Sequence, residues 1–384
     1  MIRQHLHFPH YFKIHLPVQL EELYLTAALM DFAGAAIALF EPIFLWTLGY
    51  GIRQIMMFYL LLYGVYFFVL PLGGKFVARY GPERSIMVST VCLVGYFLAL
   101  VGIQVYWWLF MVAPILFALQ KTFYWPAYHF EFMRYSSKQE RGREFSGIWA
   151  ITTLMYVLGP VAGGFVVKFF GFTPLFVGAA AIILLSSLPL FATKNLPKPE
   201  AYSYWNSLRL PFRRRYLKST FGYLGLGGEL IGMTVWPIFI FLIYGDLFNL
   251  GLLVGAAALV TAVTTLVAGK WTDRTAKRRV LSISAISEAV TWLLRIFARF
   301  PPFVFVLDTL GRITHNSVFV SLTAMTYDRA HDDDYSWHGV YYEQGFALAK
   351  SLVAVLVITL SAAADPFNVA FLLAGLFSFM HLAF

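Results

Sequence analysis

The chain has 384 residues, of which 59% are hydrophobic and 13% charged, with a mean hydropathy of +0.69. A soluble globule carries about 25% charged residues, so this composition excludes one, and apolar runs long enough to cross a bilayer recur along the whole length. The net charge of +9 therefore reads as membrane topology rather than a nucleic-acid footprint, and the single cysteine, Cys92, excludes a disulfide framework.

Residues 1–22 form a cytosolic or interfacial segment, with His5, His7, His10 and His15 among aromatic residues suited to the headgroup region. A metal-sensing arm is the second reading of those histidines. The segment has no unbroken apolar core and no small-residue cleavage site, so no cleavable signal is expected.

Twelve spans follow, over 23–48, 54–78, 86–105, 107–133, 146–170, 173–193, 219–245, 247–269, 280–299, 302–327, 338–362 and 366–384. With the N-terminus in the cytosol, Lys and Arg gather on one side, leaving only Arg53, Lys168 and Arg299 opposite. Positive-inside bias then places both termini in the cytosol.

The first span contains Asp31 and Glu41, the latter just before Pro42. A carboxylate in hydrocarbon costs about 2.5–3.5 kcal/mol on insertion scales. Each therefore needs a proton, a partner or a water-filled cavity, the plainer reading being a helix-packing hydrogen bond.

Between the second and third spans stands a short basic turn, Gly74-Lys75-Phe76-Val77-Ala78-Arg79-Tyr80-Gly81-Pro82-Glu83-Arg84. A second copy runs from Gly269-Lys270-Trp271-Thr272-Asp273-Arg274 to Arg279, at an offset of 269 − 74 = 195. The same offset places Pro42-Ile43-Phe44 on Pro237-Ile238-Phe239 and Arg134 on Arg329. About half the protein is thus duplicated, an internal repeat of the kind on which transporters are built.

The two turns resemble the loop signature of the major facilitator superfamily, Gly-x-Leu-Ala-Asp-Arg-x-Gly-Arg-(Arg/Lys). At the Asp and second Gly positions each departs once: Ala78 stands where the first copy needs Asp, and Ala276 where the second needs Gly. The resemblance implies an all-α membrane protein with 12 transmembrane helices in two pseudo-symmetric six-helix bundles, 23–193 and 219–384, joined by a cytosolic linker, 194–218. It further implies a cytosolic gate at Gly74, Arg79, Gly81, Arg84, Gly269, Asp273 and Arg274. There the loop Asp of one half braces the helix ends of the other. With Ala78 in place of Asp, one of the two braces is lost and the resting protein leans inward-open.

The fourth span presents Lys121, Trp125 and Tyr128 on one helical face with His129 adjacent, read as cavity lining, with a structural ion pair as the alternative. The fifth reads Gly159-Pro160-Val161-Ala162-Gly163-Gly164, which resembles the antiporter signature of drug/proton exchangers in the same superfamily. Its plainer reading is a tight helix crossing. The linker carries Arg213-Arg214-Arg215, suited to an anionic membrane surface.

In the second half, Glu229, Met233 and Trp236 share a face of the seventh span. Asp31 and Glu229 read as near-equivalent acids. The ninth span carries Glu288 and Arg295, the tenth Asp308, Arg312 and His315, and the eleventh Glu343 and Lys350. Asp308 and Arg312 are spaced to neutralise each other within one helix. The loop after the tenth span is acidic, with Asp332-Asp333-Asp334.

The expectation is a secondary transporter working by alternating access, with proton-coupled export of an amphipathic or cationic compound as the leading reading. Asp31, Glu41 and Glu229 are the proton candidates, and Trp125 and Trp236 suit cationic cargo. Proton-coupled uptake of a polar or anionic nutrient is the alternative, favoured by Lys121, Arg295, Arg312 and Lys350. A membrane-embedded enzyme or lipid-handling protein using His129, Glu131 and His315 is the reading from another class, without a supporting nucleophile–base or metal spacing. No ATP-binding motif, cofactor or metal is expected. The expected partners are a small-molecule substrate, protons or another ion and the lipid bilayer, without nucleic acid. A monomer in a prokaryotic cytoplasmic membrane is the expected state.

Overall fold

The structure is a computed structural model that describes residues 18–135, 141–186, 202–272, 277–330 and 335–384, and those residues are helical with no strand among them. The first stretch holds α1 (Val18–Ala38), α2 (Phe40–Thr47), α3 (Ile52–Tyr80), α4 (Pro82–Gly102), α5 (Leu109–Tyr135), α6 (Arg141–Phe170) and α7 (Phe172–Ser186). A short α8 (Tyr204–Arg209) runs into a 3-10 turn over Leu210–Phe212. There follow α9 (Leu217–Leu224), α10 (Gly227–Met233), α11 (Val235–Tyr244), α12 (Leu247–Thr272), α13 (Lys277–Arg295), α14 (Pro301–Ala330), α15 (Tyr335–Leu360) and α16 (Pro366–Ser378), with a last 3-10 turn at Phe379–Ala383. Eight helical stretches among the described residues are long and apolar enough to cross a membrane. The helices α13 and α14 are not among them; both carry charges in mid-helix.

The first expected span is broken at Leu39 and the seventh at Gly225–Leu226 and again at Thr234, where the sequence suggested continuous helices. Pro42 and Pro237 explain the breaks at Leu39 and Thr234. Proline lacks the N–H that the carbonyl four residues earlier requires, and its ring crowds that carbonyl. Those carbonyls belong to Ala38 and Met233, the last residues of α1 and α10, and 233 − 38 = 195. The basic stretch from Gly74 is also not a turn over its length. The helix α3 continues to Tyr80, and Gly81 alone, at φ 93°, turns the chain into Pro82 at the start of α4. Nothing between Gly74 and Tyr80 breaks a helix, whereas only glycine accepts that φ without strain.

The helices up to α7 pack mainly on one another, through α1 on α6 and α7, α5 on α3 and α4, and α4 on α7. Those from α9 repeat the pattern, with α14 on α12 and α13, α13 on α16, and α10 on α15 and α16. Two long antiparallel contacts join the sets, α3 with α15 and α6 with α12. Along the first, Arg53 meets Ile358, Tyr63 meets Lys350 and Tyr66 meets Glu343. Along the second, a Cβ on Gly251 would run into the Pro160 carbonyl, and one on Gly164 would lie 2.8 Å from the Leu247 carbonyl. Lys168 and Asp246 close the end of this contact at 2.8 Å.

Candidate functional site

The joint between the two sets of helices is polar at its centre. Tyr59, Tyr63 and Tyr66 are buried on α3 at i, i+4, i+7, and Tyr63 and Tyr66 reach α15. The Tyr59 hydroxyl donates to Glu41 Oε1 at 2.7 Å, which satisfies a buried carboxylate of α2. Tyr66 donates to Glu343 Oε2 at 2.8 Å. The other oxygen of Glu343 lies 3.4 Å from Nε2 of His129, on α5. Both partners of Glu343 thus belong to the opposite set of helices.

Lys350, 1% exposed, is the second centre. Its ammonium donates to the Tyr63 hydroxyl at 3.2 Å, pairs with Glu229 Oε1 at 3.3 Å and lies 3.7 Å over the Phe346 ring. A lysine in such a place costs several kcal/mol unless paired and hydrogen-bonded, and here it is both. Lys121 faces this group from α5, within electrostatic range of Glu229, Glu343 and Glu41. Its ammonium lies 4.7 Å from the Phe117 ring. Among the described residues no carboxylate comes within ion-pair distance of it.

Two further groups lie among the helices from α9 onward. In one, Asp308 Oδ2 accepts from Arg312 at 2.7 Å, within one helix as its spacing predicts, and Oδ1 accepts from Trp236 Nε1 at 2.9 Å. Beside them the Arg295 guanidinium lies between two indoles, 4.1 Å from Trp236 and 3.9 Å from Trp292. A guanidinium held between aromatic faces gains cation–π attraction of about 2 kcal/mol or more when desolvated. Gly311 makes room for it, because a Cβ there would collide with Arg295 Nη2. In the other group, Glu288 Oε1 lies 2.9 Å from His315 Nδ1.

The model of the Major Facilitator Superfamily matches residues 23–243 and, a second time, 219–384. The chain belongs to the Major Facilitator Superfamily. No curated protein matches it closely enough to count as a relative. Membership makes it a multi-pass membrane protein and a secondary transporter of small molecules, in a family that is generally not enzymatic.

As a superfamily member the protein distributes its candidate residues unevenly. The expected substrate and proton cavity comprises Asp31, Glu41, Lys121, Trp125, His129, Glu229, Trp236, Glu288, Arg295, Asp308, Arg312, His315 and Glu343. The structure gathers Lys121 and Glu229 at the centre, with Glu41, His129 and Glu343. It places Trp236, Arg295, Asp308 and Arg312 in a second group, and pairs Glu288 with His315 in a third that adjoins both, His315 being within electrostatic range of Glu229 and Lys350 and Glu288 of Arg295. Trp125 lies beside His129, ring centroids 5.9 Å apart and planes tilted by 31°. Asp31 accepts from Thr152 at 2.7 Å, a contact between α1 and α6. It is not an equivalent of Glu229, whose partner is a lysine.

In the glycine motif, Gly159 and Gly163 face α1, where added Cβ atoms would strike Ala35 and Ala36, while Gly164 faces α12. The motif therefore makes two close crossings on opposite sides of α6. At the basic end, Gly74, Arg79, Gly81 and Arg84 are in place, with both arginines exposed, and α12 carries Gly269. Asp273, Arg274, Asp332–Asp334 and the N-terminal histidines lie outside the described residues, as does the side chain of Glu131. The α3 tyrosines and Trp292 were missed. A hydrophobic count hides the tyrosine hydroxyls, although the i, i+4, i+7 spacing of Tyr59, Tyr63 and Tyr66 was a usable signal.

Proposed function

We propose that the protein is a proton-coupled transporter that exports an amphipathic or cationic compound. In this reading 23–193 and 219–384 are two six-helix halves that rock about the central polar group. Positive-inside bias makes the end carrying Arg53, Lys168 and Asp246 the outer one. The contacts Arg53–Ile358 and Lys168–Asp246 then hold the outer face shut.

The observation that carries the coupling is Glu343. Both its hydrogen-bonding partners, Tyr66 and His129, belong to the other half. An ionised Glu343 ties the halves across the α3–α15 contact, and its protonation weakens both bonds. A proton thereby changes the cost of opening the joint, which is the requirement for driving alternating access. Glu229, paired with Lys350 beside Tyr63, is the second titratable group on the same joint.

The test is Glu343→Gln in proteoliposomes given an organic cation on the outside. The amide keeps the shape and still accepts from Tyr66, so melting should stay close to the parent. Uptake driven by an imposed pH gradient should fall at least ~10-fold, while exchange without a gradient persists. Unchanged gradient-driven uptake would move the proton site to Glu229, Glu41 or Asp31.

One observation favours a second reading, uptake of a polar or anionic nutrient. Lys121 faces the joint without a carboxylate at ion-pair distance among the described residues, an arrangement suited to a carboxylate or phosphate on the cargo. A thermal-shift panel of organic anions and cations at two pH values separates the readings, because a true ligand stabilises by mass action.

A further inference from the structure

The segment between the two sets of helices has a chemistry that transport does not use. From Tyr202 to Lys218 it carries Arg209, Arg213, Arg214, Arg215 and Lys218 and no carboxylate, and the next acid is Glu229. One side of it is built into the protein. Ser207, Leu210 and Pro211 are buried, and the Tyr202 ring fills the space left by Gly74, where a Cβ would lie 2.6 Å from it. The Tyr204 hydroxyl donates to the Phe68 carbonyl of α3 at 3.0 Å, and Thr220 donates to the Pro211 carbonyl at 2.8 Å. Both α8 and the 3-10 turn after it also pack on α15.

The other side is exposed and amphipathic. Trp205 is 64% and Phe212 59% exposed, and with exposed Arg209 they stand at i, i+4 and i+7 of one helical run. The depth of the segment matters. Phe68 lies 80 − 68 = 12 residues before the end of α3, which is about 18 Å along a helix. The segment therefore lies against the flank of α3, beside the exposed Phe68 and Leu72, and does not project beyond the helix ends. The segment is also level with the start of the apolar stretch Gly339–Leu360 of α15, where the Tyr341 hydroxyl donates to the Tyr216 carbonyl at 3.0 Å, and aromatic rings flanked by arginines there match the bilayer interface.

We propose that residues 203–218 form a lipid-binding bar, in which Trp205 and Phe212 enter the interface and Arg209, Arg213 and Arg214 bind the phosphates of anionic phospholipids in the adjoining leaflet. Because the bar is bonded to α3 and packed on α15, lipid bound there also steadies the contact that joins the two sets of helices. The occupant is a lipid headgroup and not a free anion, because the aromatic pair needs an acyl region beside the charge.

The test is hydrogen–deuterium exchange of the full chain in nanodiscs of phosphatidylcholine alone, or with one part phosphatidylglycerol to three. Exchange over 203–218 should slow at least ~10-fold in the anionic discs, and the difference should shrink at ~0.5 M salt. The variant Arg209→Gln/Arg213→Gln/Arg214→Gln should show no difference between the discs, with α4 protected as in the parent. Where that variant fails to fold, Trp205→Ala serves in its place and should lose most of the difference. Equal exchange in both discs for the parent would overturn the proposal. So would a triple variant, or Trp205→Ala, that keeps the full difference, or the same slowing by inorganic phosphate in neutral discs.

Discussion

Lys350 shows what a buried charge requires. Its ammonium has a carboxylate, a hydroxyl and an aromatic face around it, and Glu229 depends on it in turn. Removing one member of such a pair strands the other. Lys350→Met should therefore cost roughly 3–5 kcal/mol, whereas Lys350→Met with Glu229→Gln should recover most of that loss. Thermal unfolding in detergent of the parent, both single variants and the double variant gives the coupling directly. Near-additive losses would mean that the 3.3 Å contact is not an energetic pair.

At the scale of the helix, the glycine motif separates two kinds of crossing. Gly163 faces α1 inside the first set of helices, while Gly251 of α12 meets the Pro160 carbonyl across the joint. Alanine at either position pushes backbones apart, at a cost of about 1–3 kcal/mol. The consequences should differ. Gly163→Ala should lower the melting temperature without changing the accessibility of the joint. Gly251→Ala should loosen the α6–α12 contact, so that a cysteine placed near Phe248 reacts several-fold faster with a water-soluble maleimide, in a Cys92→Ser background. Equal labelling in the two variants would show that the crossing does not hold that end closed.

For the whole molecule, the contact at the end of α6 and the start of α12 sets how firmly one face is shut. Asp246 accepts from Lys168 and also caps α12 by accepting from the Asn249 N–H at 2.8 Å. These bonds, the one from Lys168 first, hold its carboxyl below the usual carboxylate range. A lowered folded-state value means that the contact contributes fully above the free-acid value of about 3.9 and is lost as pH falls through the lower folded value. Between about pH 5 and pH 8 it is constant, so a pH-dependent opening in that window must come from other groups. Asp246→Asn should shift the closed-to-open ratio only a few-fold, because exposed ion pairs are weak. Distance measurements between spin labels near Gly171 and Gly245 would show the shift and its flatness with pH. A difference between parent and Asp246→Asn that changed steeply between those pH values would contradict the assignment.

The amino-acid sequence by itself determined that the chain is helical and membrane-embedded, that its two parts repeat at 195 residues, and that Asp308 and Arg312 neutralise each other. These properties are local or periodic: hydrophobic runs, a proline four residues after a carbonyl, an i, i+4 pair. Only the tertiary structure decided which helices meet. Tyr66 and Glu343 are 277 residues apart, and Lys350 finds its carboxylate on α10 rather than one turn away from itself. Periodicity tells which side chains share a face, but the neighbour of that face is chosen by close packing of small residues and by the need to satisfy each buried charge. The charged positions of the joint fall outside the repeat, since the offset places Lys121 on Asn316 and pairs Glu343 with Ile148. Duplication accounts for the frame of the protein, and the unmatched substitutions within it account for the polar joint.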